Sequence, residues 1–222
     1  MLTDENKASF VNQQSIFKFT LTDGTNAIKA RRFIREIVTG NYHNAVVSVS
    51  LTTPASEFYV AMPAEITNKF TIYDEDYNIY SIEKSASCGN GKYYTSTLTL
   101  TPVADPLTLK ALAVGTITVK NLQTYQNFKY TKNDGDMTKA TNSTVTIDVA
   151  AGDIVRLYAY ANAISNGTSS GVANIGCSAD CEIYGNISSL IDYTYTAMKD
   201  YQFYGLFKDN THIKNNATKE LT

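Results

Sequence analysis

Every second residue along Tyr94, Ser96, Leu98 and Leu100 faces one way, while Thr95, Thr97, Thr99 and Thr101 face the other. A period of two marks a strand with one buried and one wetted face. At about 3.3 Å per residue the stretch from Tyr93 to Thr101 would span roughly 30 Å. Pro102 and Pro106 then bracket Val103, Ala104 and Asp105, and neither proline can donate a ladder hydrogen bond. The alternation restarts at Leu107, Leu109 and Ala111. The pattern predicts a seam between two β units.

Upstream of the seam, Phe17, Phe19 and Leu21 share a face and Asp23-Gly24 signals a turn. The segment Ala27–Val38 fits a bulged strand about as well as a short helix, and its strand neighbours favour the strand. Val47, Val49 and Leu51 alternate. The continuous apolar run Phe58–Met62 predicts a strand buried on both faces. Lys69–Tyr73 and Tyr77–Glu83 flank Asp74-Glu75-Asp76 as a hairpin with an acidic tip. Downstream, strands are expected at Leu107–Ala111, Thr116–Lys120, Phe128–Thr131, Thr144–Val149 and Ile154–Tyr160, with Asn162–Gly171 as a loop. After Asn174 the spacing changes: Ile187, Leu190 and Ile191, then Phe203, Leu206 and Phe207, fall at i, i+3 and i+4. That spacing predicts two short helical turns. A strand stub at Thr211–Lys214 follows. Such a unit cannot bury its own apolar side and normally stacks as a repeat, so Phe203, Leu206, Phe207 and Ile213 are expected to be exposed.

Composition narrows the class. The 222 residues include 16 Tyr and no Trp, and only 18% are charged, which suits half-buried pleated surfaces. The net charge of −2 divides evenly, with 9 basic against 10 acidic residues up to Pro102. No basic stripe gathers phosphates, so nucleic acid is not an expected partner. Strictly apolar runs stop at five residues, too short for a bilayer span. The first residues lack the features of a secretory signal; the chain reads either as cytosolic or as a mature or internal piece of something longer.

Candidate chemistry is sparse. Gly167-Thr168-Ser169-Ser170-Gly171 matches G-x-S-x-G, but a nucleophile elbow needs a strand feeding a helix, and these flanks read as a loop. The two histidines, His43 and His212, lie in different units. Cys177 and Cys181, with Cys88 elsewhere, make a poor zinc set and read as paired or buried thiols. Export would open the way to a local Cys177–Cys181 disulfide. Asp74-Glu75-Asp76 and Asn133-Asp134-Gly135-Asp136 lack the distant glutamate of a calcium loop and read as hairpin tips. Arg31, Arg32 and Arg35 read as a solvated strand face, and most of the tyrosines as core.

Three stretches resemble surface-protein families of Gram-negative anaerobes. Residues 10–101 are similar to the second half of a fimbrillin-like (Mfa-like) domain. The matching pieces are Phe10-Val11-Asn12, then Ile16 to Gly24, Ser56 to Ala61, and Gly91-Lys92-Tyr93-Tyr94. Residues 106–160, with PLTLKA, GTITVKN and VTIDVAAGDIV, resemble the small β domain that precedes the array in BspA-like leucine-rich-repeat surface proteins. Ile175–Ile187 and Tyr204–Ile213 continue that likeness into a first repeat, with Asn210 where such repeats often carry Cys. The resemblance implies exported, lipid-anchored β-sandwich proteins that serve as pilus subunits or adhesins.

The expectation is a mainly β chain: a fimbrillin-like sandwich over 1–102, a second small antiparallel sandwich-like domain over 103–172, and over 173–222 a small α+β cap beginning a leucine-rich-repeat array. The expected function is that of a non-enzymatic cell-surface adhesin, a fragment of a larger outer-membrane-associated protein. It would need no cofactor or metal and would meet a protein or glycan partner. A carbohydrate-binding module and a fimbrial subunit are the alternatives.

Overall fold

The computed structural model describes residues 2–3, 7–8, 14–39, 42–63, 67–85, 88–159, 163–191 and 200–222. The chain is mainly β and, among the described residues, contains no α-helix. It divides into two compact units, Met1–Val103 and Ala104–Thr222.

The first unit holds β1 (Leu2–Thr3), β2 (Lys7–Ala8), β3 (Gln14–Thr22), β4 (Ala30–Thr39), β5 (Tyr42–Ala55), β6 (Glu57–Pro63), β7 (Thr67–Asp74), β8 (Ile79–Ser85), β9 (Tyr93–Thr99) and β10 (Thr101–Pro102). Apart from the short β1–β2 pair, these strands form a five-stranded sheet in the order β10-β8-β7-β4-β5 and a three-stranded sheet in the order β6-β3-β9. The alternation in β3 puts Phe17, Phe19 and Leu21 inside, against Phe33, Phe70 and Ile72 of the larger sheet. Phe19 lies 5.2 Å from Phe33 and 5.4 Å from Phe70, centroid to centroid. Phenylalanine, not tyrosine, fills this core. In the described chain only Tyr73 and Tyr184 are buried tyrosines, because a phenol oxygen needs a partner that an apolar core does not supply.

Three expectations fail in this unit. β6 is not buried on both faces: Phe58, Val60 and Met62 point inward, but Tyr59 and Ala61 are exposed. Among the described residues its sheet has three strands, and Tyr59, Ala61 and Tyr93 stand exposed on its outer face. Nor is the pairing wholly antiparallel, since β9 runs parallel to β3 from Ile16↔Tyr93 to Thr22↔Thr99. Finally, Arg35 is fully buried and donates from Nε to Asn68 Oδ1 at 2.6 Å. It lies at the second of two register shifts in β4, where a bulge re-aims side chains that strict alternation would place elsewhere.

The second unit holds β11 (Leu107–Ala111), β12 (Gly115–Lys120), β13 (Phe128–Lys132), β14 (Thr138–Lys139), β15 (Val145–Val149), β16 (Ile154–Ala159), β17 (Asn174–Cys177), β18 (Cys181–Tyr184) and β19 (Ile213–Asn215). A six-stranded sheet, β14-β13-β16-β11-β18-β19, faces a three-stranded sheet, β15-β12-β17. Leu107, Leu109, Val155 and Leu157 from the first and Ile117, Val119 and Ile175 from the second fill one core.

Here the expected cap over 173–222 is corrected. β17 pairs with β12, β18 pairs with β11, and β19 pairs parallel to β18, so these residues complete both sheets. The helical spacing is taken up by a 3-10 turn at Ile187–Ile191 and by successive turns through residues 200–209. Leu190 and Leu206 are buried, and Phe203, Phe207 and Ile213 pack against the same core instead of standing exposed. Ser189, also buried, accepts from Leu107 N–H at 2.9 Å and donates to the Leu157 carbonyl at 2.8 Å. Gly185 has φ +87°, and a Cβ there would lie 2.0 Å from the Pro106 oxygen. Only glycine lets the chain turn there, beside Pro106.

The turns of this unit are wired by Asp153. Its carboxylate accepts from Ala150 N–H and from Asn133 Nδ2, both at 2.9 Å, and Lys132 Nζ lies 3.2 Å away. Burial pushes its pKa up, but those bonds outweigh burial and hold it below the usual aspartate value. A depressed carboxylate stabilises the fold above the unfolded value near ~3.9 and loses that contribution as pH falls through the folded one. We expect Asp153→Asn to cost about 1–2 kcal/mol at pH 7, the scale of lost charged hydrogen bonds. The gap to wild type should narrow as pH falls below the ordinary aspartate value and through the depressed folded one. Calorimetric melts of both proteins across that range check this; a gap that persists undiminished in acid refutes it.

Candidate functional site

Among the described residues of the first unit, the three-stranded sheet carries the most exposed aromatic surface. On its outer face Tyr59 of β6 is 62% exposed, Tyr93 of β9 is 58% exposed, and Ile16 of β3 between them is 50% exposed. β3 separates the two tyrosine strands: Lys18 is opposite Tyr59, and Ile16 is opposite Tyr93. The rings nonetheless lean together over it, with centroids 6.5 Å apart and planes at 33°. The outcome is a shallow aromatic trough on a rigid sheet. Desolvation, and then the neighbouring Tyr59, raise the pKa of the Tyr93 phenol.

Polar groups border the trough. Lys18 Nζ sits 3.1 Å from Glu57 Oε2, and Thr20 Oγ1 donates to Glu57 Oε1 at 3.0 Å. Glu57 holds the Lys18 ammonium pKa up, and Lys18, with Thr20, holds the Glu57 carboxylate down. Both therefore stay charged through neutral pH. This places a donor and an acceptor at fixed positions beside two stacking faces.

A second surface lies in the other unit, on the outer side of its three-stranded sheet. A polar cleft of about 500 Å³ is lined by Lys120 of β12, Asn174 and Gly176 of β17, and the turn Tyr204–Asn210. Ser169 reaches its rim. The first unit also encloses a smaller cavity of about 130 Å³ among Phe17, Phe19, Met62, Phe70 and Leu98, with Cys88 and Lys84 at its wall.

The residues singled out from sequence fall elsewhere or into structural roles. Ser169 belongs to a loop closed by Asn166 N–H to the Gly171 carbonyl, with no strand feeding a helix. His212 Nδ1 lies 3.0 Å from Asp180 Oδ1, an oxygen of the carboxylate that also takes Lys214. Neither His212 nor Asp180 lines the cleft with Ser169. His43 lies in β5, and its side chain is outside the described residues. No group of three or more His, Cys, Asp or Glu that could hold a metal occurs among the described residues. Asp74 accepts from Asp76 and Asn78 N–H groups as a hairpin tip, and Asn133 serves the Asp153 network. Cys177 and Cys181 are unlinked and buried, and Cys181 Sγ donates to the Ala179 carbonyl at 3.4 Å.

The trough was missed because Phe58–Met62 reads as one apolar block. The parity Glu57, Tyr59, Ala61 was the available signal: a charged residue in register with the tyrosine marks the wet face. The same holds for Tyr93 with Thr95, Thr97 and Thr99.

No known family profile and no curated protein matches the chain. Among solved structures, one neighbour is a DUF3823 family protein from Parabacteroides merdae. It is 10% identical, aligned over 67% of this chain and 81% of that chain, with a TM-score of 0.30. A likeness of that size carries no argument about function.

Proposed function

We propose that this chain is a non-enzymatic attachment module of a cell surface, part of a larger exported, outer-membrane-associated protein, and that it holds glycan on the outer face of its first unit. The observation that carries the reading is the Tyr59–Tyr93 trough. Aromatic faces on a sheet lose little conformational entropy on contact and offer flat apolar area to the C–H faces of sugar rings. Lys18 and Glu57 add the few fixed polar groups that orient hydroxyls. The binding surface is thus assigned to a sheet face and not to a repeat array. The export and anchoring follow from the resemblance to fimbrillin-like and BspA-like proteins.

Removing either ring should weaken binding to a neutral polysaccharide several-fold, and Tyr59→Ala with Tyr93→Ala by roughly tenfold or more, as loss of ~1 kcal/mol per ring implies. Tyr93→Phe should keep most of it. A glycan array followed by affinity electrophoresis reads this directly. Silence of the wild-type chain across a broad array would end the reading.

A second reading, the fimbrial subunit, is favoured by one observation. β9 ends its sheet, and among the described residues no strand pairs with its outer edge. Only Lys84 reaches across from β8, donating to Ser96 Oγ and the Thr97 carbonyl, and the small apolar cavity lies behind. An open edge over an apolar cavity suits a donated strand. On this reading the chain forms concentration-dependent oligomers that vanish when residues 1–13 are removed. Sedimentation showing a monomer at every concentration would eliminate it.

A further inference from the structure

The polar cleft of the second unit is assembled from groups whose positions are fixed before any ligand arrives. Asn174 donates from Nδ2 to the carbonyls of Gly205 and Lys208, both at 3.1 Å, and Leu206 is tied by its carbonyl to Ile175 N–H at 2.7 Å. These bonds clamp the turn to the free edge of β17. Asn210 Oδ1 accepts from the backbone N–H groups of His212 and Ile213. Its amide nitrogen is thereby aimed across Gly176, where a Cβ would stand 3.3 Å from it. Any larger residue at 176 would intrude on the cleft floor. Tyr204, 58% exposed, forms one wall and is braced edge-on by Tyr201, with planes at 85° and centroids 5.6 Å apart. Lys120 and Lys208 flank the opening against one carboxylate, Asp209, so the lining carries a formal charge of +1.

Preset amide and hydroxyl groups, one aromatic wall and surplus positive charge describe the chemistry of a carboxylated sugar. We infer that this cleft binds an acidic saccharide unit, such as a uronic or sialic acid, with its ring against Tyr204 and its carboxylate between Lys120 and Lys208. Asp209 and the Asn174 amide oxygen stand as acceptors for ring hydroxyls. The inference rests on the reading of the chain as a glycan-attachment module and gives it a second, chemically distinct site.

Calorimetric titration of the full chain with oligogalacturonate, hyaluronan oligomers and sialyllactose, in about 0.15 M salt to screen diffuse attraction, tests it. The expected result is binding to at least one of them and none to its carboxyl-reduced counterpart. Tyr204→Ala and Lys208→Gln should each weaken that binding about tenfold. Tyr59→Ala should leave it unchanged while weakening neutral-glycan binding several-fold, so loss of the sheet-face site and loss of the cleft are read separately. Silence toward all three acidic probes overturns the inference. So does equal binding of the carboxyl-reduced form. Dependence on Lys208 with Tyr204→Ala inert would mean simple ion exchange and also overturns it. Unchanged melting of each variant shows that folding is intact; should Tyr204→Ala unfold, Tyr204→Leu, which keeps bulk but no aromatic face, replaces it.

Independently, the turn between the two sheets of this unit points to a disulfide. Cys177 ends β17 and Cys181 begins β18, so the three residues between them carry the chain from one sheet to the other. Both side chains are buried, and Cys181 Sγ faces the Ala179 carbonyl, inside the same turn, at 3.4 Å. We propose that Cys177 and Cys181 are joined on export, while the chain folds and before the core closes over them. The thiolate of one of the two cysteines attacks the disulfide of an oxidised thiol–disulfide carrier, forming a mixed disulfide. The other cysteine then displaces the carrier, which leaves as its dithiol carrying both electrons and the two thiol protons.

Protein secreted into an oxidising compartment, denatured and alkylated without reductant, should take one label, at Cys88, and weigh about 2 Da less than the reduced chain before labelling, the two lost hydrogens of one bridge. Reduction should lower its melting temperature, and Cys177→Ser with Cys181→Ser should show no such shift. Three labels, or a bridge involving Cys88, would overturn the proposal.

Discussion

A sheet of three strands with one face on a core must leave its other face to something else, and that constraint organises both units. In the first, β6-β3-β9 turns Phe17, Phe19, Phe58 and Leu98 inward. The opposite parity then has no choice but to stand in water, which is where Lys18, Glu57, Tyr59, Tyr93 and the threonines of β9 are found. In the second, β15-β12-β17 buries Ile117, Val119 and Ile175, and the opposite parity carries Thr118, Lys120, Asn174 and Gly176. The two candidate binding surfaces are both outer faces of the smaller sheet. Their side chains sit on strands whose inner halves are locked by packing, which is the condition for holding a recognition group still.

The larger sheets meet a related constraint at their edges. Without β18, β11 would present an unpaired row of backbone groups along Thr108–Ala111. The chain satisfies that row from 70 residues downstream and then adds β19 beside it. Leu190, Leu206 and Ser189 arrive with those strands and close the core over β11 and β16. Residues 174–222 are therefore integral to this unit, and its core would be open without them.

Which parts of this were legible follows from the range of the interactions. The strands β3 and β9, and the hairpin around Asp74, are written in local alternation and turn chemistry, and the sequence spells them. What it could not spell depends on partners far along the chain. Phe58–Met62 looks uniformly apolar, yet only a count of strands in its sheet decides that Tyr59 is wet. Arg35 looks like a surface cation until the bulge at Arg35/Glu36 re-aims it. The triplets at 187–191 and 203–207 carry helical spacing, but each is too short to hold a helix by itself, and tertiary contacts turned both into tight turns. Of the binding surfaces, the trough had a parity signal. The cleft had none, because Lys120 pairs with Asn174, 54 residues on, and Asn174 in turn holds the turn at Lys208, 34 residues further.

Each unit also buries an arginine completely, and this bears on how firmly the surfaces are held. Arg156 lies 3.7 Å from Asp105, which Lys219 reaches at 2.8 Å, and donates from Nη1 to the Asn133 carbonyl at 3.1 Å. Lys219 also stands over the Tyr184 ring at 4.7 Å, and burial, with Asp105 nearby, pushes that phenol up to about 12. Burying such charges gains little net stability, since desolvation offsets most of the attraction. What it secures is geometry: a displaced β16 or β18 would strand a charge in a dry interior, at a cost of several kcal/mol. Arg156 thus fixes β16 against the segment from Asp105, and Tyr184 with Lys219 fixes β18 against the final residues. A sandwich whose register is fixed by buried charge, and whose volume is filled by phenylalanine and leucine, can leave its tyrosines free for the outside. In this protein Tyr59, Tyr93 and Tyr204 stand exposed, while Phe19, Phe33 and Phe128 hold the strands in place from within.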